Sequence, residues 1–170
     1  MIIVYYGDGK GKTTAALGLA LRASGYHRKI LFAQFIKSPK AITGEDKALK
    51  NIKHLVHKKF GLGFVGLYDD SKSIEEHQGA AKIGVDFVIK AIKNYDLVVL
   101  DEFLGAIKGG LVDLKTATDL IKNFPKEKDL VITGRPKYSK IINLADLVSE
   151  VKEVKHPFKR GKMAKQGIDF

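Results

Sequence analysis

Gly7-Asp8-Gly9-Lys10-Gly11-Lys12-Thr13-Thr14 constrains this chain more than any other stretch. An apolar run, Ile2-Ile3-Val4-Tyr5-Tyr6, precedes it, and an alanine- and leucine-rich run from Thr14 to Leu21 follows. Strand, glycine-rich turn, Gly-Lys-Thr and helix, in that order, make a phosphate-binding P-loop. Glycines let backbone N–H groups curl around an anion, and the helix N-terminus adds positive partial charge. In this pattern Lys12 neutralises phosphate oxygens and the Thr13 hydroxyl ligates Mg²⁺. The expected nucleotide cradle is therefore Gly7, Asp8, Gly9, Lys10, Gly11, Lys12, Thr13 and Thr14. The loop is one residue short: Tyr6 stands where the usual pattern has its first glycine. Such a variant allows a nucleotide pose other than the usual one.

A chain of 170 residues suits one domain, residues 1–170, with one core. The absence of cysteine excludes disulfides, thiolate metal sites and cysteine nucleophiles. No signal-peptide pattern or membrane-spanning apolar run is present, so a cytoplasmic location without membrane partners is expected. Thirty basic against nineteen acidic residues give a net charge of +11. That charge favours anionic partners such as nucleotides, nucleic acid or phosphorylated cofactors, but a solvated lysine-rich surface would give the same value.

The remaining pattern alternates strands with helices. The first helix is expected over Thr13–Ser24, buried on most sides and closed by Gly25 in the C′ position. A buried strand follows over Lys29–Ile36, then a polar segment, Ser38–Lys50, and a short strand over Ile52–His57. Phe60–Tyr68 mixes glycine with aromatics and has neither period, as functional loops often do. Ser73-Ile74-Glu75-Glu76 is a capping box. The helix after it should reach about Asn94 and bury Ala80, Ile83, Phe87, Val88, Ala91 and Ile92. An apolar strand ends in Asp101-Glu102. Asp113 caps a helix to about Phe124. Asp129–Thr133 is a buried strand followed by Gly134-Arg135-Pro136. A short helix over Tyr138–Leu144 leads to a last strand near Leu147–Val151. This order implies a single-domain α/β fold, a mainly parallel P-loop (RecA-like) sheet with helices on both faces. Ligands of such sheets bind beyond the carboxyl ends of the strands.

The residues at those ends carry the chemistry. Asp101 and Glu102 form a strand-end acid pair able to reach a phosphate-bound Mg²⁺, directly or through water. Glu102 would serve as general base if the protein were an ATPase. Arg135 can clamp phosphate or carboxylate, or form a surface ion pair. His27, His54, His57 and His77 show no ligand spacing and read as surface or loop residues. The basic tail contains Lys155-His156-Pro157-Phe158 and Gly167-Ile168-Asp169-Phe170, which are apolar enough to dock on the domain.

Taken together and in order, Gly7–Thr14, Gln34-Phe35-Ile36-Lys37, Gly44-Glu45, Val98–Glu102, Thr133-Gly134-Arg135, Ala145–Glu150, Lys155–Phe158 and Gln166–Asp169 resemble the P-loop-type corrinoid adenosyltransferases. The resemblance runs from Ile2 to Phe170. That family's loop has the same shortened form, usually with asparagine where Asp8 stands. The resemblance implies that cobalt(I) of a reduced corrinoid attacks C5′ of ATP and expels triphosphate. ATP would lie reversed, ribose outward and triphosphate in the loop. It implies Mg²⁺ on Thr13 and Glu102, phosphate on Gly7 to Thr13, and Phe64 beside the corrinoid. It also implies a homodimer supplied with electrons by a flavoprotein reductant. The chain departs from the family at Gly63-Phe64-Val65-Gly66, where glycine replaces tryptophan; Tyr68 is the aromatic available to stand in. Longer members carry an extension before the first strand, so a cap from that extension is expected to be missing. Two other classes fit the residues alone. A phosphoryl-transferring ATPase or nucleoside kinase would yield ADP. A nucleic-acid binder would show steep salt dependence, but no nucleic-acid motif is present.

Overall fold

In a computed structural model describing residues 1–66 and 70–169, six strands alternate with six α-helices. The strands are β1 (Ile2–Tyr6), β2 (Ile30–Gln34), β3 (Leu55–Lys59), β4 (Leu97–Asp101), β5 (Asp129–Gly134) and β6 (Leu147–Glu150). The helices are α1 (Lys12–Ser24), α2 (Gly44–Leu49), α3 (Ile74–Ala91), α4 (Phe103–Lys108), α5 (Leu114–Lys122) and α6 (Ser139–Ile142). The strands form one sheet in the order β3-β2-β4-β5-β1-β6, and every pairing is parallel. Parallel neighbours need crossovers, and these place helices on both faces, as the alternation implied.

Side chains alternate across the pleat, so each central strand feeds two cores. Leu31, Ala33, Val98, Leu100, Leu130 and Ile132 pack with α3, α4 and α5. Ile30, Phe32, Leu97, Val99 and Val131 pack against Ala16, Ala20 and Ala23 of α1. The same alternation assigns Gln34, Asp101 and Thr133, each next in phase, to the α1 face at the carboxyl edge. All three are fully buried.

Several expectations shift. Only one face of α1 is buried; Leu21 is 59% exposed. Leu17 and Leu19 pack only partly against the same core, because the small alanines make the close contact. Gly25 is right-handed (φ −62°), and the left-handed turn falls on His27 (φ 58°). The polar segment contains α2, closed at its start by a Thr43/Asp46 capping box. β3 lies two to three residues later than expected. The Ser73 capping box forms, with the Ser73 hydroxyl accepting from Glu76 N–H at 3.2 Å. The buried stripe of α3 is His77, Ala81, Gly84, Val85 and Val88; Ile83 is 65% exposed, contrary to expectation. Gly84 is buried because Phe60 lies where its Cβ would be, at 2.7 Å. Among the described residues no helix is long and apolar enough to cross a membrane.

Candidate active site

The P-loop joins β1 to α1 and is pinned from behind. Gly7 N–H donates to Arg135 O at 3.1 Å, and Gly9 N–H donates to Val151 O at 2.8 Å. A Cβ on Gly7 would meet Val151 O at 2.5 Å, and its φ of 117° also selects glycine. Gly7 and Gly9 thus anchor the loop against the exit of β6, and their N–H groups are already engaged. In this structure those two N–H groups serve the loop's own shape. The N–H groups of Lys12, Thr13 and Thr14, in the first turn of α1, have no partner within the helix. Gly11 turns left-handed there (φ 118°) and caps that helix with backbone alone.

Lys12 is buried, and its ammonium donates to Gly9 O at 2.7 Å. Burial lowers its pKa, and the Glu102 carboxylate opposes that shift. Thr13 Oγ1 donates to Asp101 Oδ1 at 2.9 Å. Asp101 also accepts from Thr133 Oγ1 at 2.7 Å and from Gln34 Nε2 at 2.9 Å. Both of its oxygens are therefore engaged inside the protein. Glu102, one residue later, adopts a left-handed φ of 55° stabilised by its N–H donating to Thr133 Oγ1 at 2.9 Å. That twist turns its carboxylate into the cavity. Burial and the neighbouring Asp101 charge raise its pKa.

Asp8, Lys10, Lys12, Thr13, Thr14, Glu102 and Arg135 all line one open cavity of about 720 Å³. Arg135 stands 3.9 Å from Asp8, both exposed. The cavity also takes in residues to which sequence reasoning assigned no role. Lys37 is ion-paired with Glu45, and Asp169 of the tail is ion-paired with Lys10. The tail thus docks beside the loop, as its composition implied. Their appearance in the ordered motif set was the only available signal. Phe64 lies outside this cavity, 57% exposed, on a loop held by Gly63 N–H donating to Ile36 O. Tyr68 lies outside the described residues. The reading of His77 as a surface residue is corrected: it is 2% exposed and bonded to Asp70 at 3.1 Å. His57 is partly buried and bonded to Gln34 at 2.9 Å.

The donor set suits a hard divalent cation. The only Thr13 hydroxyl proton is committed to Asp101, so the oxygen lone pairs remain for a metal. A hydroxyl and one carboxylate, completed by phosphate oxygens and water, is how Mg²⁺ is usually held. The buried Lys12 ammonium beside them suits a polyphosphate.

Among solved structures, the flagellar accessory protein FlaH of Methanocaldococcus jannaschii superposes with a TM-score of 0.57 at 13% identity, covering 88% of this chain and 69% of that one. A KaiC-like protein of Pyrococcus horikoshii gives 0.51 at 13% identity, over 88% and 71%. At this identity the likeness shows the RecA-like fold alone. The sequence relatives say more. Corrinoid adenosyltransferases of Pseudomonas aeruginosa and Escherichia coli K12 are each 34% identical over this whole chain, which covers 83% and 85% of their lengths. Corrinoid adenosyltransferase CobA of Salmonella typhimurium is also 34% identical, with 85% of its length covered. The family model described as ATP:corrinoid adenosyltransferase BtuR/CobO/CobP matches residues 1–170, and the chain belongs to that family.

Proposed function

We propose that this protein transfers the 5′-deoxyadenosyl group of ATP to cobalt(I) of a reduced corrinoid and releases triphosphate, using the P-loop cavity as its ATP site. The observation that carries the reading is the convergence of Lys12, Thr13 and Glu102 on one open cavity of a chain that matches the family along its whole length. Triphosphate rests on the N–H groups of Lys12, Thr13 and Thr14 and on the Lys12 ammonium. The ribose faces outward, so C5′ is open to the corrinoid. The cobalt(I) electron pair forms the Co–C5′ bond as the C5′–O bond breaks, and those electrons leave on the triphosphate. The nucleophile is the substrate metal, so no protein base is needed.

Thr13 Oγ and the Glu102 carboxylate would hold Mg²⁺, and Asp101 orients Thr13 from behind. When bound, Mg²⁺ neutralises charge on the phosphate oxygens. Lys12 stabilises the charge that accumulates on the leaving group, and Arg135 stands at the rim for the same purpose. The exposed Phe64 ring is the apolar surface offered to the corrinoid, keeping water from cobalt. We place the enzyme in the cytoplasm as a homodimer, acting in adenosylcobalamin biosynthesis or salvage with a flavoprotein as electron donor. The test is product identity: ATP, Mg²⁺ and chemically reduced cobalamin should give adenosylcobalamin and inorganic triphosphate. ADP in place of triphosphate would reject the reading in favour of phosphoryl transfer.

A further inference from the structure

One polar chain crosses the α1 face of the sheet, from the edge strand to the P-loop. His57 on β3, Gln34 on β2 and Asp101 on β4 lie side by side there. Gln34 pairs in register with Asp101, and His57 sits opposite Phe32, two residues before Gln34. Gln34 is fully buried, and its amide is the middle link: Nε2 lies 2.9 Å from Asp101 Oδ2, and Oε1 lies 2.9 Å from His57 Nε2.

The direction of this chain follows from its ends. An ionised carboxylate only accepts, so Gln34 must turn its NH₂ to Asp101. Its carbonyl oxygen then faces β3 and needs a donor, which fixes the proton on His57 Nε2. Asp101 Oδ1, held in the same plane, takes the only Thr13 hydroxyl proton and leaves the lone pairs of that oxygen toward the cavity. It also takes the Thr133 proton, and Thr133 in turn accepts from the Glu102 N–H. One carboxylate orientation therefore sets both residues assigned to the cation. Without the His57 donor, the carbonyl oxygen of the buried Gln34 amide loses its partner, and the amide is held against Asp101 from one side only. A flipped amide would place two acceptors against each other at Asp101.

We infer that Gln34 and His57 are positioning residues for the cation half of the ATP site, acting through Asp101 on Thr13 and Glu102. The inference rests on the Mg²⁺–ATP reading above.

The test is ATP affinity measured by calorimetry with Mg²⁺ and with EDTA, in the wild type and in Gln34→Leu, His57→Leu and His57→Gln. The wild type should bind ATP more tightly with Mg²⁺. In Gln34→Leu and His57→Leu that Mg²⁺ advantage should shrink by about tenfold, the scale for losing a group that orients a metal ligand. Affinity in EDTA should hold. His57→Gln keeps an N–H donor of similar reach and should restore the advantage. Equal loss with and without Mg²⁺ would show a merely structural role and overturn the inference, as would an unchanged advantage. A wild type with no Mg²⁺ advantage would overturn the underlying reading and the inference with it. Should the leucine variants fail to fold, His57→Phe, a ring without a donor on the edge strand, is measured against His57→Gln by the same criterion.

Discussion

Lys12 shows how much chemistry one side chain carries here. A buried ammonium is disfavoured unless an anion accompanies it, and in this site burial is the largest influence on its pKa. The phosphate charge is the natural compensation. Lys12→Ala should reduce single-turnover adenosylation by about 10²–10³, the scale for deleting one preorganised donor to a charged leaving group. Near-normal rates would contradict that assignment. Glu102 presents the opposite case. Its carboxyl is harder to ionise folded than unfolded, so ionisation costs stability. That cost is absent well below the ordinary carboxylate range, where both states hold the proton, and complete above the raised folded pKa. Glu102→Gln should therefore raise the melting temperature at neutral pH, and the gain should fade by about pH 3–4. The same variant should lose the Mg²⁺-dependent part of ATP binding. A lower melting temperature at neutral pH would refute this account of Glu102.

At the scale of elements, α2 shows how a polar stretch becomes ordered. Asp46 closes the capping box by accepting from Thr43 N–H at 2.6 Å, and it also accepts from Lys59 of β3 at 2.6 Å. One carboxylate thereby ties a two-turn helix to the sheet edge. Burial alone would raise its pKa, but the Lys59 and Thr43 hydrogen bonds outweigh it and hold the group at about 2. A depressed acid stabilises the fold above its unfolded pKa and loses that contribution as pH falls toward the folded value. Asp46→Asn should cost up to about 2 kcal/mol at pH 7, shrinking between pH 5 and 2. Urea unfolding across that range checks it; a pH-independent loss would mean that the charge is not responsible.

The misplaced elements have physical reasons. Hydrophobic spacing put Ile83 inside α3, yet the face that packs is the one carrying His77 and Gly84. A histidine satisfied by Asp70 and a glycine making room for Phe60 are invisible to a hydrophobicity pattern. β3 slipped because an edge strand buries only partly, so Lys58 and Lys59 extend it where hydropathy predicts an end.

At the scale of the whole molecule, the tail returns to the start of the chain, and Asp169 pairs with Lys10 at the mouth of the cavity. There its carboxylate competes with phosphate for the same ammonium. Asp169→Asn should tighten ATP binding, by up to about fivefold given what exposed ion pairs are worth, and less at high salt. Calorimetry at two salt concentrations reads this; weaker binding would show that the tail carboxylate assists the nucleotide.

The fold class and the core of the site were legible because both are local or periodic. A strand, a glycine turn and a Gly-Lys-Thr helix start are contiguous, and strand-end acids announce themselves by position. The whole ordered set of motifs, from Gly7–Thr14 through Val98–Glu102 to Gln166–Asp169, indicated the family. What sequence could not show is which neighbours those residues meet. Only the register of β3, β2 and β4 brings His57, Gln34 and Asp101 into one chain of donors. Only packing against Val151 commits the N–H of Gly9 to the scaffold. Such partnerships join residues far apart in the chain, and they depend on strand order and pleat phase, which no contiguous stretch encodes.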